Sequence, residues 1–224
     1  MPRSSRHERP GIIDNDGMAD LFASDVFESL PLPGADVRLA RAWLPPTEAD
    51  AVFACLCSEI PWERHRIRIF GREVDSPRLS CWIGDADAVY RYSGTRFAPR
   101  PWLPPLRLLC DRLSRLLSVP FNSVLANRYR DGSDAMGWHA DDEPELGAAP
   151  IIASLSLGAE RLFAFKPQTS AGRSLRLRLP HGSLLVMAGA TQSTYRHAVP
   201  RTRRAVGERL NLTFRRIIAA DAGR

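Results

Sequence analysis

The 224-residue chain has no apolar run approaching the ~18–20 residues that a membrane-spanning helix requires, so a helical membrane protein is excluded. Its first residues, MPRSSRHERPGIIDNDG, are basic but lack the apolar stretch of a secretory signal, and a cytoplasmic protein with no membrane partner is expected. Cysteine is scarce: Cys55, Cys57, Cys81 and Cys110 have no C-x-x-C spacing, which argues against a zinc framework or a disulfide scaffold. Lysine is nearly absent. Of 31 basic residues only Lys166 is a lysine, so almost every cation is a planar guanidinium suited to phosphate and carboxylate. The net charge of +6 favours a polyanionic partner.

What is present, 44% hydrophobic and 25% charged residues, describes an ordinary globular chain of one domain. Residues 1–17 are polar and aperiodic and read as a flexible leader to a single domain over 18–224. DVRLARAWL alternates like a strand, and EADAVFACLCSEI, after Pro45-Pro46-Thr47, has the spacing of an amphipathic helix capped by Thr47. LPPLRLLCDRLSRLLSV, residues 103–119, repeats leucine at three and four and predicts a second helix. Between them, RHRIRIFGREVDSPRLSCWIGDADAVYRYSG alternates and turns like hairpins. After Pro120 come eight short β-rich runs with no helical signal between them: NSVLANRYRD, MGWHAD, IIASLSLGA, RLFAFKP, SLRLRLP, GSLLVMAG, YRHAVP and RLNLTFRRII. The predicted class is α+β, mainly β, a double-sheet jelly roll or barrel.

Three patterns carry chemistry. In Trp138-His139-Ala140-Asp141, residues i and i+2 of a strand share a face, so His139 and Asp141 can converge. His197, near the end of a later run, would complete two histidines and one carboxylate, a facial set that leaves coordination positions open and characterises non-haem Fe(II) oxygenases. Second, Arg209-Leu210-Asn211-Leu212-Thr213-Phe214-Arg215 alternates throughout, with Arg209, Asn211, Thr213 and Arg215 on one face. The pattern describes either a surface strand with solvated arginines or a lumen-facing strand whose enclosed guanidinium groups need anionic partners, which a dicarboxylate would supply. Third, Asn127 and Tyr129 share a strand face and can each donate to a carboxylate.

In this order the patterns resemble the AlkB family of Fe(II)/2-oxoglutarate-dependent dioxygenases. The likeness runs from about Pro61 to Ile218, through NRYRDGSDAMGWHADDEPELG, PIIASLSLGA, HGSLLVMAGATQ and RLNLTFR. It implies a double-stranded β-helix (jelly roll, cupin-like) over about 120–218 with two N-terminal helices on one sheet, and a nucleotide-recognition lid over about 61–100. It further implies Fe(II) held by His139, Asp141 and His197, and 2-oxoglutarate held by Asn127, Tyr129, Arg209, Asn211, Thr213 and Arg215. The activity implied is oxidative removal of N-methyl groups from bases such as 1-methyladenine and 3-methylcytosine in alkylated DNA, with RNA a further substrate. Dioxygen and 2-oxoglutarate would be consumed, and succinate, carbon dioxide and formaldehyde released.

The resemblance also marks substrate positions. Tyr90 and Tyr92 match aromatics that hold a flipped base, although cross-strand core packing would use them equally well. Asp142 and Glu143 match acidic residues facing the cationic alkylated base, or else form a solvated turn. Phe70, beside Gly71, matches a hairpin tip that wedges into a base stack, or else folds onto the core. Arg66, Arg68, Arg72, Arg78, Arg91, Arg96 and Arg100 around this region are candidate phosphate contacts, and Arg161 a candidate at the substrate cleft. A monomer is expected. The competing readings are a 2-oxoglutarate oxygenase acting on a protein or small molecule, and an inactive nucleic-acid-binding module.

Overall fold

A computed structural model describes residues 27–69, 72–92, 95–169 and 172–218. The proposed leader, residues 1–17, and Phe70 lie outside the described residues. The first half contains β1 (Glu28–Ser29), β2 (Asp36–Ala40), α1 (Pro46–Glu59), β3 (Arg66–Ile69), β4 (Arg72–Asp75), β5 (Leu79–Gly84), β6 (Tyr90–Tyr92), β7 (Thr95–Phe97) and α2 (Pro104–Leu117). All eight runs read after Pro120 form strands: β8 (Ser123–Tyr129), β9 (Met136–His139), β10 (Ile152–Gly158), β11 (Arg161–Pro167), β12 (Leu175–Leu179), β13 (Ser183–Ala188), β14 (Tyr195–Val199) and β15 (Arg209–Arg215). A 3-10 turn, Pro144–Leu146, and a single-turn helix α3, Thr191–Thr194, interrupt them.

The strands make a mostly-β architecture of antiparallel sheets. The larger sheet has the order β1-β2-β13-β10-β15-β8-β5 and the smaller β12-β11-β14-β9. The pairs β3-β4 and β6-β7 form separate hairpins. One apolar cluster joins Ala49 and Leu56 of α1 and Leu106, Leu109, Cys110 and Leu113 of α2 to Val124, Leu155, Val186, Leu212 and Phe214 of the larger sheet. A second, with Phe163, Phe165 and Tyr195 of the smaller sheet and Tyr129, Ile152, Leu185 and Met187 of the larger, fills the space between the two sheets. β15 is buried along its whole length because both its faces are covered, the leucines by the helix-side cluster and the polar residues by the opposing sheet. The solvated-strand reading of RLNLTFR is thereby overturned.

Local signals explain the ends of the helices. Thr47 is exposed and does not cap α1; Pro45 and Pro46, with fixed φ, start the helix before it, and Pro45 occupies the N-cap without a side-chain bond. α2 also starts on proline and stops at Ser118, whose left-handed backbone (φ 53°) lets its N–H bond back to Arg115 O. Arg112 of α2 stacks on Trp43 (4.7 Å) and pairs with Glu48, tying the two helices together. At the end of β10, Gly158 has φ +82°, and a Cβ there would lie 2.4 Å from Glu208 O. Only glycine allows this close approach beside Arg209. Its N–H donates to His181 Nδ1 (2.7 Å), which is what that histidine does.

The loop between β8 and β9 closes on Asp134. This buried carboxylate accepts the backbone N–H of Arg130 (2.9 Å) and two bonds from its guanidinium (2.8 Å each). Burial alone would raise its pKa, but the Arg130 bonds outweigh that and hold it below the usual carboxylate range. A depressed folded pKa stabilises the fold above the unfolded value of about 3.9, and that stabilisation is lost as pH falls through the lower folded value. Asp134→Asn is therefore expected to cost about 1–3 kcal/mol at neutral pH, with the gap from the parent closing below about pH 4. Urea unfolding at pH 7 and pH 3 measures this; an equal gap at both would assign the effect to packing instead.

Candidate active site

A narrow cleft opens between the sheets, and the cross-strand register builds its walls row by row. Tyr129 of β8 lies opposite Arg209, Asn127 opposite Asn211, Leu125 opposite Thr213, and Ser123 opposite Arg215 of β15. On the other flank of β15, Ser156 pairs with Asn211 and Ser154 with Thr213. Because the side-chain period of a strand is two, these pairings bring Asn127, Tyr129, Ser154, Asn211, Thr213 and Arg215 to the cleft wall. At one end His197 of β14 pairs directly with His139 of β9.

His139, Asp141 and His197 each offer a ligand atom within 4.8 Å of the others. The imidazole centroids are 4.2 Å apart, and His197 Nε2 is 3.8 Å from Asp141 Oδ2. His139 Nδ1 is 2.9 Å from the carbonyl of Gly137, so that nitrogen carries the proton and Nε2 keeps its lone pair for a metal. Phe163 stacks on His197 at 5.4 Å and 18°. Burial pushes His197 down to about 3, with His139 adding to the effect, and burial also lowers His139. Burial would raise Asp141, but Arg215, His197 and His139 together pull it below the ordinary range. Two neutral imidazoles and one carboxylate are the protonation states that a divalent metal needs, so the residues fit Fe(II).

Asp141 is held from two sides. Its Oδ1 accepts a 2.6 Å bond from Arg215 Nη2, and its backbone N–H donates to Gln192 Oε1 (3.0 Å) in the buried α3 turn. Gln192 had no signal in the sequence, because its role exists only through this long-range contact. Gln192→Ala is expected to weaken iron binding by roughly tenfold, as loss of a ligand's supporting partner does. Titration of the metal-free protein with Fe(II) under anaerobic conditions reads this, and an unchanged affinity would confine Gln192 to packing.

A second cation lies against Tyr129, which lines the cleft. Arg209 is 1% exposed and donates through Nη2 to Ser156 Oγ (2.9 Å), while its Nε and Nη1 meet no hydrogen-bond partner among the described residues. Its guanidinium lies 5.2 Å from the Tyr129 ring centre, and Arg161 lies 5.7 Å from the same ring. Burial lowers the pKa of Arg209, with Tyr129 opposing and Arg161 adding to the effect. A buried cation with two donors unused and no carboxylate paired to it among the described residues fits an anionic ligand group. Asn127 accepts from Arg78 Nε (2.7 Å); because arginine only donates, the Asn127 oxygen is committed there and its N–H₂ remains for the cleft. Asn211, in contrast, donates to Ser154 Oγ and Leu155 O and accepts from Thr213, so it braces the wall.

Other sequence expectations fare differently. Asp142 is exposed and Glu143 half-buried at the start of the 3-10 turn, and neither is among the residues lining the cleft. Tyr90 and Tyr92 are the first and last residues of β6, and their side chains lie outside the described residues. Arg78 is buried on Asn127 and Ser76, which withdraws it from the candidate phosphate contacts. Arg161 is likewise 2% exposed and donates to the carbonyls of Asp131, Asp134 and Pro200, so it is a loop clasp. Ser154 and Ser156 escaped notice, although their alternation in IIASLSLGA was the available signal.

Two imidazoles and a carboxylate in a cleft, with a buried arginine against the cleft-lining Tyr129, define a site for a metal and an acidic co-substrate. The sequence model of the 2OG-Fe(II) oxygenase superfamily matches residues 36–215. The chain is 38% identical over 226 residues to the alpha-ketoglutarate-dependent dioxygenase alkB homolog 3 of Mus musculus, covering 96% of this chain and 75% of that protein. It is 40% identical over 181 residues to the DNA oxidative demethylase ALKBH2 of Homo sapiens, covering 76% and 69%. The solved structure of OsALKBH1 shares the fold, with a TM-score of 0.58 at 18% identity over 85% of this chain and 99% of that one. The chain belongs to the 2OG-Fe(II) oxygenase superfamily, within its AlkB family, as an Fe(II)/2-oxoglutarate-dependent dioxygenase.

Proposed function

We propose that the protein is an oxidative demethylase that repairs N-alkylated bases, 1-methyladenine and 3-methylcytosine, in DNA and also acts on RNA. The observation that carries this is the His139, Asp141 and His197 cluster in a cleft also lined by Asn127 and Tyr129, with the buried guanidinium of Arg209 against the Tyr129 ring. The DNA assignment draws on the family relatives and on the +6 charge.

Bound Fe(II), with 2-oxoglutarate and dioxygen, supplies the oxidation that converts an N-methyl group to N-hydroxymethyl, which departs as formaldehyde while 2-oxoglutarate becomes succinate and carbon dioxide. The chain's residues position and insulate that chemistry. His139 Nε2, His197 and Asp141 hold the metal, and Arg215 fixes the Asp141 carboxylate beside it. Arg209 takes the distal carboxylate of 2-oxoglutarate, with Asn127 and Tyr129 as donors and with Asn211 and Thr213 keeping the wall in register. Tyr90, Tyr92, Phe70, Asp142 and Glu143 are assigned to the base and its flanking stack. The fold is assigned as a double-stranded β-helix over about 120–218 carrying two N-terminal helices on one sheet, with a recognition lid over about 61–100. The protein is assigned to the cytoplasm as a monomer.

The test is the mass of a single-stranded oligonucleotide carrying one 1-methyladenine after incubation with the protein, Fe(II), 2-oxoglutarate and ascorbate. Loss of one methylene mass, ~14 Da, is expected with the parent and not with His139→Ala. Succinate release without a mass change would move the substrate elsewhere, and no succinate at all would reject the oxygenase role.

A further inference from the structure

The smaller sheet has a second face, turned away from the cleft, that the reaction does not use. Alternation fixes what it carries. On β11, Phe163 and Phe165 point inward and are buried, so Leu162, Ala164 and Lys166 point outward. On β14 the inward residues are Tyr195, His197 and Val199, which places Arg196 and Ala198 outward; on β12 Arg176 and Arg178 are the exposed pair. The register aligns these residues in rows: Arg178 with Leu162, Arg176 with Ala164 and Ala198, and Lys166 with Arg196. Four cations thus surround Ala164 and Ala198, which are 3% and 4% exposed.

Little balances this charge. Arg178 pairs with Glu160 at 3.3 Å, and among the described residues no ion pair engages Lys166, Arg176 or Arg196. Lys166 instead lies 4.6 Å from the ring centre of Trp138, which is 44% exposed. A large exposed aromatic beside unpaired cations is the combination that binds bases by stacking and phosphates by charge.

Position makes the face specific. β9 is the edge strand of its sheet, and its consecutive residues Trp138 and His139 face opposite ways, the tryptophan outward and the iron ligand into the cleft. Adjacent Cα atoms are about 3.8 Å apart, so the outer face and the active site meet across a single strand edge. From β9 to β12 the face spans about 15 Å, three inter-strand spacings.

We propose that this outer face, with Lys166, Arg176, Arg196 and Trp138, is a sequence-independent contact surface for single-stranded nucleic acid, which carries the strand flanking the base in the active site. The inference takes the identity of the polyanion from the proposed function, but binding here needs neither iron nor a methylated base.

The experiment measures binding of a fluorescein-labelled, unmodified strand of about 20 nucleotides to the full chain across a salt series, for the parent and for the triple variant Lys166→Gln, Arg176→Gln, Arg196→Gln. At about 0.7 counterions per phosphate contact in single strands, the triple variant is expected to lower the salt slope by about 2 and weaken binding about tenfold, and each single replacement to lower the slope by about 0.7. Trp138→Ala is expected to weaken binding about fivefold with the slope unchanged. A methylated substrate of about five nucleotides, too short to cross the edge, should be turned over by the triple variant at the parent's kcat/KM, while one of about 20 should show a raised KM. Unchanged slope and affinity in the folded triple variant, or an equal loss on short and long substrates, would overturn the proposal. So would competition by polyglutamate equal to that by the oligonucleotide, which would make the face a general polyanion surface. If the parent demethylates nothing yet the slope still falls in the variant, the demethylase reading fails and the surface stands.

Discussion

Arg209→Met is expected to make the metal-free protein more heat-stable while abolishing its response to 2-oxoglutarate. The guanidinium is buried, its Nε and Nη1 lack partners among the described residues, and its pKa is lowered by burial, all signs of a cation held in place for a ligand. Replacing it with an apolar side chain of similar length removes that desolvation cost and forfeits the Ser156 bond and the Tyr129 stack. The net gain should be about 1–2 kcal/mol, or a few degrees in melting temperature for a chain of this size. Loss of two charge-assisted bonds should raise the KM for 2-oxoglutarate by about 100-fold or more. Thermal melts with and without 2-oxoglutarate decide the matter: ligand should shift the parent upward and leave the variant unmoved. A variant that melts lower and still responds to 2-oxoglutarate would show that Arg209 is a structural cation.

Asp141→Asn should produce the opposite stability change with the same loss of function. The carboxylate faces Arg215 at 2.6 Å, and both side chains are about 4% exposed. Neutralising one member of a buried pair removes the Coulomb partner of the other, which typically costs about 3 kcal/mol. The variant also withdraws the sole anionic ligand from the His139 and His197 pair, so turnover should fall by roughly 10³-fold or more, well beyond the 10–100-fold of an outer-partner loss. Urea unfolding, Fe(II) titration and succinate release read the three effects separately. Retained turnover would remove Asp141 from the iron site. Arg209 and Arg215 stand six residues apart on one face of β15, yet removing the Arg209 guanidinium and removing the Arg215 partner carboxylate are expected to shift stability in opposite directions.

Much of this was legible in the chain because a strand's period of two is local. His139-x-Asp141, Asn127-x-Tyr129 and the alternating RLNLTFR each declare which residues share a face, and the strands after Pro120 follow from their β-rich runs and turn residues. The first helix was placed correctly but its cap was not, since Thr47 competes with two prolines whose fixed φ begins the turn earlier. Arg78, expected at phosphates, and Arg161, expected at the substrate cleft, are instead buried because carbonyl or amide oxygens from distant segments converge on each.

The sequence by itself determined the class of elements, the polar and apolar faces of each strand, and the residue types able to hold a metal and an acid. Tertiary structure alone decided that His197 pairs with His139, that Ser154 and Ser156 flank β15, that Gln192 holds the Asp141 backbone, and that Arg209 is left for a ligand while Arg215 is given to Asp141. The reason is physical. Side-chain direction along a strand follows from backbone geometry within a few residues, whereas the charge state and use of a buried group depend on which distant strand lies across from it.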